Sequence, residues 1–178
     1  MEGDSALAAI VVMVLCCAAS VEDVLAFRIA DRYSIFIAGL FLLVAAVGVL
    51  GGGVSIWTVL LTVGWSGLIF IVATTLFAFG MFGGGDVKLL TAVSLWVVPG
   101  ALLHFILYVA LAGGVVSLLV LLLRLLVPFA TKKQWFVPTF FTKFAEANRD
   151  VPYGLAIAAG TVVVWMRGAL GITGVAPL

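Results

Sequence analysis

Charge is scarce in this chain. Asp, Glu, Lys and Arg make up 10% of its 178 residues, against about 25% in a soluble domain. Hydrophobic residues make up 65% and the mean hydropathy is +1.37. A chain of this size folded in water could not hide that much apolar surface, so an integral membrane protein is implied. Regular alternation of apolar and polar residues is missing too. That excludes a barrel and leaves helices. The two cysteines, Cys16 and Cys17, are adjacent and lie in an apolar run. Without a Cys-x-x-Cys pair, and with a single histidine, neither zinc nor another metal is expected, and no cofactor. Both thiols read as small buried hydrophobes. The net charge of +1 gives no basis for a nucleic-acid partner. The N-terminus, Met1-Glu2-Gly3-Asp4, lacks the basic segment of a signal peptide, so the first apolar run reads as a retained span.

What the chain does have is apolar runs of membrane length. They predict an all-α polytopic protein with six transmembrane helices in a single domain over residues 1–178. The spans are Ser5–Val21, Tyr33–Leu50, Ile56–Ala78, a short fourth run Val87–Val98, Ala101–Val127 and Pro152–Leu170. The fourth is too short to cross alone and stands behind a glycine turn, as a helix broken inside the membrane would. Gly64 and Gly67 suggest a close helix contact on the third span. Pro128–Asp150 is the longest polar stretch. Phe136, Phe140, Phe141 and Phe144 recur there at roughly helical spacing, as in a segment lying on the bilayer surface.

The basic residues set the orientation. Alternating six spans puts Arg28, Arg32, Lys88, Arg124, Lys132, Lys133, Lys143 and Arg149 on one side and Arg167 alone on the other. The rich side is cytoplasmic by the positive-inside rule, so both termini are non-cytoplasmic. Two acids, Asp23 after the first span and Asp86 before the fourth run, then fall at the same cytoplasmic depth.

Acids in a membrane are costly and therefore candidates for function. Two carboxyl groups in a low-dielectric site share a proton, one serving as acid and the other as base. Such a pair can activate water against an amide and protonate the leaving nitrogen, with no metal or nucleophilic side chain. Asp86 opens a helix, where the dipole favours the charged form, and Asp23 closes one, where it does not. Gly83, Gly84 and Gly85 precede Asp86 and leave the backbone open to an extended substrate. Lys88 is a candidate substrate contact beside them. Helix capping is the competing role for Asp86, and Glu22 is the competing acid for Asp23. A small proton-coupled transporter or a non-enzymatic pilus assembly factor are the rival functions. Against a transporter, both acids cluster at one face, and the third and fifth spans supply no carboxylate for a relay.

Three stretches resemble the type IV prepilin peptidases, within the intramembrane aspartyl proteases that bear a Gly-x-Gly-Asp motif. Gly83-Gly84-Gly85-Asp86-Val87-Lys88-Leu89-Leu90 is similar to the second-aspartate signature. Asp23-Val24-Leu25-Ala26-Phe27-Arg28-Ile29-Ala30-Asp31 resembles the first-aspartate motif, with Ala30 where proline is usual and Asp31 where asparagine is common. Val151-Pro152-Tyr153-Gly154 resembles the opening of the family's last helix. The resemblance implies Asp23 and Asp86 as catalytic residues, and a bacterial inner-membrane enzyme that removes the leader of prepilins and pseudopilins at the cytoplasmic edge. The paired cysteines of the bifunctional members' methylating region are absent. That and the small size suggest the minimal peptidases of Flp/Tad pili.

Overall fold

The computed structural model describes residues 2–133, 138, 142 and 151–170. Among the described residues, six α-helices stand at the six expected segments: α1 (Glu2–Ala26), α2 (Asp31–Leu50), α3 (Ile56–Ala78), α4 (Gly84–Ser94), α5 (Leu102–Lys132) and α6 (Tyr153–Met166). Four stretches of these residues are long and apolar enough to cross a membrane: Leu7–Ala26, Asp31–Leu50, Ile56–Ala78 and Pro99–Lys132. The helices α4 and α6, with 11 and 14 residues, rise about 16 and 21 Å and fall short of a ~30 Å core. Among the described residues there is no β-strand, only an isolated antiparallel bridge between Val97 and Leu170.

The packing is inverted relative to a soluble bundle. Long leucines and isoleucines point outward on the outer helices, for example Leu42 and Leu43 on α2, Ile71 on α3 and Leu125 on α5. Such surfaces are stable against hydrocarbon and not against water. The central element is α4. Asp86, Val87, Leu89, Leu90, Ala92, Val93 and Ser94 are all buried, enclosed mainly by α2, α3 and α6. A helix surrounded by protein can carry polar residues that a lipid-facing one cannot.

Just beyond α4, Trp96 is 1% exposed. Its indole N–H donates to the Ile37 carbonyl of α2 at 3.0 Å, and its ring meets Phe41 edge-on at 6.0 Å. Trp96→Phe keeps the ring contact and removes the hydrogen bond. It should lower stability by about 1 kcal/mol, read as thermal unfolding in detergent.

Close helix contacts are made at glycines other than those expected. A Cβ on Gly64 or Gly67 would meet nothing within 4 Å, whereas one on Gly160 of α6 would lie 2.5 Å from Val109 Cγ2 of α5. The backbones of α5 and α6 therefore approach as only a missing side chain allows. Cys16 is buried and lies 3.6 Å from the Thr161 hydroxyl of α6. Cys17 is exposed, because neighbouring helix positions point about 100° apart. So only one of the two thiols packs inside.

Two boundaries differ from the sequence reading. The helix α1 continues to Ala26, so Asp23 lies inside its last turn. The fifth helix runs on through Pro128 to Lys132, where the polar stretch was expected to begin. There the Thr131 hydroxyl donates to the Val127 and Pro128 carbonyls at 3.1 and 3.0 Å. The aromatics Phe136, Phe140, Phe141 and Phe144 and the tail after Leu170 lie outside the described residues.

Candidate active site

Three helix ends meet at one end of the bundle: the close of α1, the start of α4 and the start of α6. The turn between α1 and α2 holds them together. Ile29 in that turn lies against Gly85 and Gly154 alike. A Cβ on Gly85 would sit 3.0 Å from Ile29 Cβ, and one on Gly154 would sit 3.1 Å from Ile29 Cδ1. Phe27, with φ of 52°, ends α1 in the left-handed region that non-glycine residues seldom take. Ala30 has φ −70° and ψ 136°, the dihedrals a proline would impose. The Ala-for-Pro difference therefore leaves this turn in the shape proline would give it.

Asp23 and Asp86 are 6% and 7% exposed. Each is held by a glycine N–H. Gly154 donates to Asp23 Oδ2 at 2.8 Å, and Gly83 donates to Asp86 Oδ2 at 3.1 Å. Asp86 occupies the third position of α4, and its bond to Gly83 is the back half of a capping box, since glycine has no side chain to complete the other half. The two acids are gathered through Ile29, on which both Gly85, next to Asp86, and Gly154, bonded to Asp23, pack. Asp86 Oδ1 is buried and has no hydrogen-bond partner among the described residues.

The dipole argument from sequence placed only Asp86 at the positive end of a helix. In the structure Asp23 meets one as well, because Gly154 is the second residue of α6. Asp23 thus sits between the negative end of α1 and the positive end of α6, whereas Asp86 meets only the positive end of its own helix.

Glu22, the competing acid, accepts from Arg32 at 2.6 Å on the exposed side. That pair engages Arg32, one of the two arginines that follow Asp23 in the turn and the start of α2; Arg28 is the other. Lys88 lies two positions beyond Asp86, roughly 200° around α4, and pairs with Asp31 at 2.6 Å with both side chains about half exposed. The structure does not bring Lys88 to the carboxyls. Lys88→Ala should change thermal stability by at most about 1 kcal/mol and cleavage by less than about fivefold, as exposed pairs contribute little.

The glycines serve the protein's own packing. The helix opens at Gly84, so only Gly80–Gly83 form the turn, with Gly80 at φ 71°. The space beside Gly83 is filled by the Asp86 carboxylate, that beside Gly84 by the Phe77 ring and that beside Gly85 by Ile29. Sequence reasoning on residue chemistry missed two contributors. One is the Gly154 N–H. The other is the stack of Phe82 on Tyr153, with ring centroids 4.9 Å apart, which ties the turn before Asp86 to the start of α6.

These features define a multi-pass helical membrane protein with two buried carboxyl groups gathered at one end of the bundle. A model of the type IV leader peptidase family matches residues 10–118, a stretch that contains both acids. The chain belongs to that family. It is therefore a protease of the prepilin leader peptidase kind, acting on a prepilin substrate. No curated protein and no solved structure gives a significant match.

Proposed function

We propose that the protein is an aspartic endopeptidase in which Asp23 and Asp86 together activate water and cut the prepilin leader. The observation that carries this is the gathering of two buried carboxyls at one end of the bundle, each accepting from a glycine N–H. Asp86 Oδ1 is the oxygen left to take a proton from water. The partner carboxyl donates to the leaving amine and recovers the proton, as a dyad sharing one proton can.

The reading extends to the setting. The end of the bundle that bears the acids also bears Arg28, Arg32 and Lys88. This charge supports cleavage at the cytoplasmic edge of a bacterial inner membrane, with non-cytoplasmic termini. Gly83, Gly84 and Gly85 let the Asp86 carboxylate, Phe77 and Ile29 close around the turn before Asp86, which holds that acid in place for the substrate. Lys88 contributes only as an outer contact. The two cysteines are adjacent in α1 and do not form the paired-cysteine pattern of a methylating region, which fits cleavage without methylation, as in Flp/Tad systems. Co-expression with a prepilin, followed by its mass, tests the reading. Leader removal is expected from wild type and from Glu22→Gln. Cleavage by both Asp23→Asn and Asp86→Asn would sink it.

A further inference from the structure

Among the described residues α3 packs on α4 and α5 packs on α6, while α3 and α5 make almost no contact with each other. Between them runs an apolar groove of about 630 Å³. Its walls are α3 from Trp65 to Leu76 and α5 from Leu102 to Ser117, so the α5 wall is about 22 Å long. Phe82 and Tyr153 close one end, and their chain neighbours Gly83 and Gly154 hold the two acids. Leu90 of α4 lines the floor. It lies four residues beyond Asp86, and positions i and i+4 share a helix face. The acid-bearing face of α4 is thus continuous with the groove.

We infer that this groove receives an apolar helix of the prepilin substrate, entering sideways from the bilayer and delivering its end to Asp23 and Asp86. The inference rests on the proposed location of the cut. A segment lying in an apolar groove inside a membrane must satisfy its own backbone, so the occupant is a helix. The α5 wall carries Ala110, Gly113, Gly114 and Ser117. Small residues at this spacing let a second helix approach closely. A Cβ on Gly114 would meet nothing within 4 Å, so the groove there is open to an incoming chain.

Benzoylphenylalanine placed at Leu103, in the groove, and at Leu43, exposed on α2 away from it, tests the docking. With a full-length prepilin co-expressed, light should give a peptidase–prepilin adduct at position 103 and not at 43. The adduct is expected in the wild-type and Asp86→Asn backgrounds alike, since it reports binding and not cleavage. No adduct at 103, equal adducts at both positions, or adducts only to lipid or a second copy of this chain would overturn the inference. Gly114→Leu should lower both the adduct at 103 and prepilin cleavage by about tenfold, by overfilling the groove. Unchanged cleavage at unchanged membrane level would count against docking there. Cleavage by Asp86→Asn would count against the dyad and leave the docking result standing.

Discussion

Asp86→Asn is expected to lower prepilin cleavage by about 10³-fold or more, within the range lost when a general acid or base is removed. Asparagine keeps the shape and can still accept from Gly83 N–H, so the helix start survives. What disappears is the proton-accepting oxygen, Asp86 Oδ1, which has no other partner among the described residues. Asp23→Asn should be as damaging. The double variant should be little worse than either single one, because residues acting as one unit are not additive. The measurement is the rate of leader removal at matched membrane levels. Losses in the two singles that multiplied in the double variant would mean the acids act separately.

Gly154→Ala is the second large effect. Gly154 meets the acids only through its backbone N–H, yet the new Cβ would lie 2.9 Å from Asp23 Oδ2 and 3.1 Å from Asp23 Cβ. The carboxyl must move, and a misplacement of about 1 Å can cost about 10²-fold in rate. We expect kcat to fall by that order with KM little changed. Gly160→Ala on the same helix is the comparator. Its Cβ would meet Val109 Cγ2 at 2.5 Å, far from the acids, so it should cost stability while the folded fraction stays active. Equal losses of kcat in both would reduce Gly154 to a packing residue.

The all-helical membrane class could be read from composition because hydrocarbon imposes one demand on every exposed position. The break before α4 was legible for a related reason: a short apolar run behind glycines has few ways to sit in a bilayer. Asp86 announced itself by charge in an apolar setting. Asp23 was harder, since Glu22 stands beside it and the two part only in three dimensions, Asp23 buried against Gly154 and Glu22 paired with Arg32 outside. Gly154 was noticed only through resemblance. Its chemistry lies in a backbone N–H, which every residue but proline has, and its distinction is a partner 131 residues away in sequence. A glycine in the first turn of an apolar helix, where propensity argues against it, was the one physical signal available. The close contacts at Gly85 and Gly160 were illegible in the same way, because a missing side chain shows its use only against the neighbour that fills the space.

The groove between α3 and α5 has a thermodynamic consequence. In a bilayer such a groove is solvated by acyl chains and not by water, so a substrate helix entering it exchanges one hydrocarbon neighbour for another. Little hydrophobic free energy is gained by that exchange. Residence must then depend on close packing along α5 and on polar contacts at the acid end. Such a peptidase would bind its substrates weakly along their apolar length, tolerate wide variation in that stretch and discriminate at the cut. The cleaved helix would also leave easily, because departing costs it no more solvation than arriving gained.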